Sequence, residues 1–115
     1  MNNKTLEGKA VLIIDDEDQI REIIAEILRM EGADPLTACD GKEGITLFDE
    51  KRASGGVVDC IVADLTIPGG MGGKEAVEIL RSRGVPFKAV VTSGYSGDPV
   101  ISRFREFGFD ASILK

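Results

Sequence analysis

The sequence predicts an α/β fold in which one parallel sheet lies between layers of helices. Three observations carry that reading. The apolar residues fall in short unbroken runs of strand length, amphipathic stretches of helical length lie between them, and the two kinds of segment alternate along the chain. Unbroken runs mark strands covered on both faces, and the alternation calls for right-handed crossovers between parallel neighbours. At 115 residues the chain has room for one domain. No internal repeat, low-complexity tract or long linker interrupts it.

Element by element, "KAVLIID" reads as the first strand. "DQIREIIAEILRMEG" follows as a helix, with Ile20, Ile23, Ile24, Ile27 and Leu28 at helical spacing, Asp18 as N-cap and Gly32 as the stop. A weaker strand, "ADPLTA", leads to "DGKEGITLFDEKRA". There Asp40 and Glu43 have capping-box spacing, and Ile45, Leu47 and Phe48 supply the apolar stripe. The turn "SGG" delivers the chain to "VVDCIVAD", the strongest strand, with Asp59 as a turn or strand-start residue. Beyond a glycine-rich loop come a third helix, "KEAVEILRSRG", and a fourth strand, "FKAVVTS". A fourth helix, "DPVISRFREFG", is capped by Asp98 with Pro99 at its first position, and "DASILK" is the fifth strand. No fifth helix follows Lys115, so one sheet face near strands one and five is expected to be partly bare, an apolar patch suited to forming a homodimer.

Composition narrows the function classes. The chain is 43% hydrophobic and 30% charged, which suits a folded domain rather than a disordered one. Fourteen basic against twenty acidic residues leave a formal charge of -6, which argues against nucleic acid or an anionic membrane surface as a direct partner. Cys39 and Cys60 sit in apolar runs without metal or redox spacing and are expected to be buried, reduced thiols of a cytoplasmic protein. The N-terminal stretch "MNNKTLEGKA" has no apolar core of a signal peptide, and no apolar run approaches a membrane span. With no histidine in the chain, Ser-His and Cys-His catalysis, histidine metal sites and a role as histidine phosphodonor are excluded.

In an open parallel sheet, function gathers at the carboxyl ends of the strands. Strand one ends on Asp15 and Asp16, strand three on Asp64, strand four on Thr92 and Ser93, and strand five on Lys115. Glu17 and Asp18 are read as acids of the helix start, favoured by the macrodipole. Asp15 and Asp16 have no such helix end to complement. Three carboxylates facing one pocket raise one another's pKa unless a cation relieves them, and an all-oxygen set without His or Cys suits a hard ion such as Mg²⁺. With a hydroxyl and an ammonium beside it, such a site is half-built for phosphoryl transfer.

On these residues the chain resembles the receiver domain of two-component response regulators and hybrid sensor histidine kinases, along essentially its whole length. "IIDDE" is similar to the receiver acidic pair and "VADLTIPGGMGG" to the phosphoacceptor loop. "VVTSGYS" is similar to the switch strand and "ILK" to the lysine end of strand five. "DLTIPGGMGGKEAV" and "SGYSGDPV" look particularly like receivers of hybrid kinases. The resemblance implies a flavodoxin-like three-layer fold with strand order 2-1-3-4-5, here a receiver domain over 1–115 truncated after strand five. It implies Asp64 as phosphorylated aspartate, Asp16 and, through water, Asp15 as Mg²⁺ ligands, and the Thr66 backbone carbonyl as a further ligand. Asp64 itself also belongs to that ligand set. Ser93 takes the switch-hydroxyl position, and Lys115 pairs with Asp64 and then with its phosphoryl group. The donor is the phosphohistidine of a sensor histidine kinase or histidine phosphotransfer domain. The chain is then a signalling phosphoacceptor that assists its own phosphorylation and dephosphorylation rather than an enzyme.

Two positions depart from or extend that pattern. The family often carries an aromatic on strand five, three residues before the lysine, where this chain has Ser112; Tyr95, the sole tyrosine, lies near enough to substitute. Residues two beyond the phosphoacceptor and two beyond the switch hydroxyl, here Thr66 and Tyr95, flank the path of hydrolytic water, so the Tyr95 ring is expected to slow dephosphorylation. Two rival readings remain distinct. Asp16-Glu17-Asp18 matches the D-x-D start of haloacid-dehalogenase-like phosphatases, with Asp16 as nucleophile, but Ile20 stands where that family has Thr or Val and its late acidic pair is missing. A degenerate receiver used only for docking would need no site residues.

Overall fold

In a computed structural model, residues 6–115 are described. Residues 1–5, the start of the stretch expected to hold no signal peptide, lie outside them. Five strands, β1 (Ala10–Ile14), β2 (Asp34–Ala38), β3 (Cys60–Asp64), β4 (Lys88–Ser93) and β5 (Ala111–Leu114), form one sheet in the order β2-β1-β3-β4-β5. Every pairing is parallel. This is the flavodoxin-like order, and its direction of travel reverses between β1 and β3, the switch point beside which such sheets bind their ligands. The helices are α1 (Asp18–Met30), α2 (Gly41–Ala53), α3 (Gly73–Arg81) and α4 (Pro99–Ser102). Among the described residues, no helix is long and apolar enough to cross a membrane.

All five residues of β1 are buried, which follows from its central place and its unbroken apolar run. Leu12, Ile14, Ile61, Ala63, Ala89 and Val91 turn one sheet face toward α2, α3 and α4 and build the main core with them. The approach of α2 to β1 depends on Gly44, where a Cβ would stand 2.6 Å from Ile14 Cδ1. One turn later Phe48 packs edge-on against Phe87, with ring centroids 5.6 Å apart, a pairing that adds ~1 kcal/mol to the burial itself. Asp40 caps α2 by accepting from the Glu43 N–H at 2.9 Å, as its spacing predicts, while Glu43 reaches back to Cys39 N–H at 2.8 Å.

Several expectations need correction. The N-cap of α1 is Glu17, not Asp18: the Glu17 carbonyl accepts the first helical bond, from Arg21 N–H at 3.0 Å, so the helix begins at Asp18, one residue earlier than expected, while the Glu17 N–H donates to the Asp15 carboxylate at 2.9 Å. β3 starts at Cys60 rather than Val57, which is exposed outside the ladder. The fourth helix is broken: α4 ends after Ser102, Arg103 leaves helical geometry at φ -120, and a 3₁₀ turn covers Phe104–Phe107. The break frees the Ile101 carbonyl, and Ser112 Oγ on β5 donates to it at 2.9 Å. Neither cysteine is buried: Cys39 is exposed just past the edge strand β2, and Cys60 is only partly covered.

Cys60 shares its sheet face with Val62, Val90 and Ile113, the face opposite the main core. On that side α1 covers β1 and β2, and no described helix covers β3 to β5. The bare region therefore lies at β5, where Ile113 is 55% exposed, and not at β1. Ile23 and Ile27, expected in the packed stripe of α1, are 57% and 55% exposed beside it.

Candidate functional site

The carboxyl ends of β1, β3, β4 and β5 meet at an open cleft of about 460 Å³. Asp16, Glu17, Asp64, Thr66, Ser93 and Lys115 line it, together with Tyr95. Asp15 lies beneath, with 2% of its surface exposed. Such a burial of a carboxylate is costly unless it is fully bonded. Here its backbone N–H continues the sheet to Ala38 O at 3.1 Å, although β1 proper ends at Ile14. Its side chain accepts from Glu17 N–H at 2.9 Å and from Lys115 Nζ at 2.9 Å. Lys115 reaches both acids: its Nζ also donates to Asp64 Oδ2 at 3.1 Å. The backbone of Lys115 is fixed in turn, its N–H donating to Ser93 O at 2.7 Å.

Burial pushes the Asp64 carboxyl above its usual pKa, and the nearby Asp15 charge adds to this. The hydrogen bond and charge of Lys115 and a Thr66 backbone hydrogen bond oppose the rise without cancelling it. For Lys115, desolvation works against the ammonium, but the hydrogen bonds and charges of Asp15 and Asp64 together outweigh it and raise its pKa. Ser93 is buried at the end of β4, and its Oγ accepts from Tyr95 N–H at 3.1 Å. Thr92 stays in the sheet opposite Asp64, as expected of a strand residue. The Tyr95 ring is 68% exposed and lies against Gly97.

The donor chemistry fits a hard cation. Carboxylate oxygens of Asp15, Asp16 and Glu17 lie within 4.8 Å of one another, all are oxygen donors, and no histidine competes. The tight group thus contains Glu17, which its helix-start reading did not assign to the site, while Asp64 and Thr66 lie across the same cleft. A second residue also escaped the strand-end pattern: Arg21 Nη1 donates to the Asp15 carbonyl at 2.7 Å. The signal for it was an arginine in the opening turns of α1, where the macrodipole disfavours a cation that lacks a partner.

A model of the response regulator receiver domain matches residues 11–115. The chain belongs to this family. Receiver domains are the signalling phosphoacceptors of two-component systems, and they bind Mg²⁺ at an acidic cluster. This receiver is 33% identical over 86 residues to a putative NtrX-like response regulator of Rickettsia bellii, covering 74% of the chain and 17% of that protein. It is 27% identical over 95 residues to the CAI-1 autoinducer sensor kinase/phosphatase CqsS of Vibrio cholerae, covering 83% of the chain and 13% of that protein. The receiver therefore spans less than a fifth of the length of either relative. Among solved structures it is similar to the Thermotoga maritima response regulator TrrA in complex with Mg²⁺ and BeF, at 29% identity and a TM-score of 0.72. That match covers 93% of this chain and 86% of the other.

Proposed function

We propose that Asp64 accepts a phosphoryl group from the phosphohistidine of a sensor histidine kinase or histidine phosphotransfer domain. The observation that carries this reading is the Lys115 ammonium held between Asp64 and Asp15 at the mouth of a cleft that also admits Asp16, Thr66 and Ser93. Asp16, Asp64 and the Thr66 backbone carbonyl, with Asp15 through water, would hold Mg²⁺, with Glu17 beside them. When bound there, Mg²⁺ supplies charge neutralisation for the transferring phosphoryl oxygens.

An Asp64 carboxylate oxygen attacks phosphorus in line; the O–P bond forms as the N–P bond breaks, and the donor imidazole leaves with the electron pair. The ionised nucleophile has no proton to lose, so the chain needs no general base, in keeping with its lack of histidine. Lys115 stabilises the charge gathering on the phosphoryl oxygens. The Ser93 hydroxyl then turns from the Tyr95 N–H toward the acyl phosphate, and the β4–α4 loop follows it. Thr66 and Tyr95 flank the approach of water, and Tyr95 slows hydrolysis. This receiver acts as one domain over 1–115, in the cytoplasm, within a longer regulator or hybrid kinase, and it neither binds nucleic acid nor contacts the membrane directly.

The test is Mg²⁺-dependent labelling by a small phosphodonor, with the acyl phosphate trapped by borohydride. Label on Asp64 that disappears in Asp64→Asn is expected. Label on Asp16 would favour the phosphatase reading, and none at all would favour a docking module. In the same assay Tyr95→Ala is expected to speed the decay of label several-fold; an unchanged decay removes Tyr95 from the mechanism.

A further inference from the structure

We propose that Arg21 is a positioning residue that aims Asp16 into the cleft by holding the Asp15 carbonyl. The Arg21 side chain is 18% exposed, with Nη1 on the Asp15 carbonyl at 2.7 Å and Nη2 paired with the Asp18 carboxylate. No hydrogen bond from the described residues holds the Asp16 carboxylate, so its backbone alone directs it. The Asp15–Asp16 peptide is planar, and fixing its carbonyl oxygen fixes the direction in which the Asp16 Cα leaves. The Asp15 N–H bond to Ala38 O anchors the preceding peptide. Arg21 thus fixes the peptide plane that enters Asp16, while the Glu17 N–H bond to the Asp15 carboxylate holds the plane that leaves it. The planar fork of Arg21 suits this task, since one rigid group meets a carbonyl and a carboxylate together.

The inference rests on the reading of this cleft as a Mg²⁺ site, and it makes a prediction opposite in sign to charge alone. Deleting a cation beside four acids strengthens Mg²⁺ binding if only charge counts. If Arg21 positions Asp16, deletion weakens it. Residues that orient metal ligands from behind are commonly worth at least about tenfold in affinity. Calorimetric titration of Mg²⁺ into the whole chain distinguishes the two. Arg21→Gln is expected to raise the Mg²⁺ Kd about tenfold, and Arg21→Lys, which keeps the charge but loses the fork, to raise it several-fold. Equal or tighter binding by Arg21→Gln overturns the proposal while leaving the Mg²⁺ site intact. Failure of the wild-type chain to bind Mg²⁺ overturns the site reading and this inference with it. Should the Gln variant not fold, the wild-type Arg21 guanidinium still answers by NMR: resolved Nη protons with hindered rotation are expected, and a freely averaging signal overturns the proposal.

Discussion

A single ammonium separates the two most confined acids of this protein, with Lys115 Nζ at 2.9 Å from Asp15 and 3.1 Å from Asp64. Removing it in Lys115→Met leaves Asp64 under burial and the Asp15 charge, both of which favour the protonated form. We expect Asp64 in that variant to titrate at higher pH than in wild type, read from its carboxyl ¹³C shift without Mg²⁺; an unchanged or lower midpoint would contradict the geometry. Because Asp64 in the folded wild type already titrates above its ordinary 3.8, the native state binds this proton more readily than the unfolded chain. The Asp64 contribution to stability therefore falls as pH rises from 3.8 through the raised value. Lys115 behaves as a raised base: its contribution is full below 10.5 and is lost as pH climbs through the higher folded value. At this scale the acids, Ser93 and Lys115 were legible as strand-end residues, since the end of a strand is fixed by where its apolar run stops. Arg21 was not, because its one mark in the sequence, a cation in the opening turns of α1, does not say that it bonds the Asp15 carbonyl. Glu17 was read only as an acid of the helix start, and its second role needs the actual bend of the chain after Ile14.

The elements themselves were legible where periodicity was strong and misjudged where a single tertiary contact decides. Nothing in "DPVISRFREFG" announces a break at Arg103, and the hydroxyl that accommodates it comes from Ser112, on another strand. The cap of α1 lies one residue earlier than its acids suggest, where the Glu17 N–H turns back to the Asp15 carboxylate. The start of α3 is tighter than its glycine-rich loop suggests. A Cβ on Gly72, its N-cap, would stand 2.3 Å from the Leu65 carbonyl oxygen, a backbone atom in the loop directly after Asp64. Gly72→Ala is accordingly expected to destabilise the fold by about 1–3 kcal/mol, measured as a lower urea midpoint. It should also shift the amide signals of Leu65 and Thr66. A midpoint equal to wild type would mean that the loop yields freely.

For the whole molecule, the two sheet faces are unequal. One packs against α2, α3 and α4, while the other is covered by α1 over β1 and β2, leaves Val62 and Val90 only half-buried and exposes Ile113, on the side where α1 shows Ile23 and Ile27. Contiguous apolar surface of this kind drives association. The 115-residue chain is expected to show a concentration-dependent rise in sedimentation coefficient that the double change Ile27→Lys with Ile113→Lys suppresses; a monomer at every concentration would contradict this. An uncovered face at β5 was legible from the run of elements, but the cover over β1 was not, because the burial of β1 depends on how far α1 reaches across the sheet. The lysine that completes the acidic cleft directly follows β5, the four-residue strand at the edge of this thinly covered side. Its bond to Asp15 joins residues 100 apart in sequence, so the cleft is complete only while β5 keeps its place beside β4. Chemical competence then depends on the local hold of one edge strand as well as on global stability.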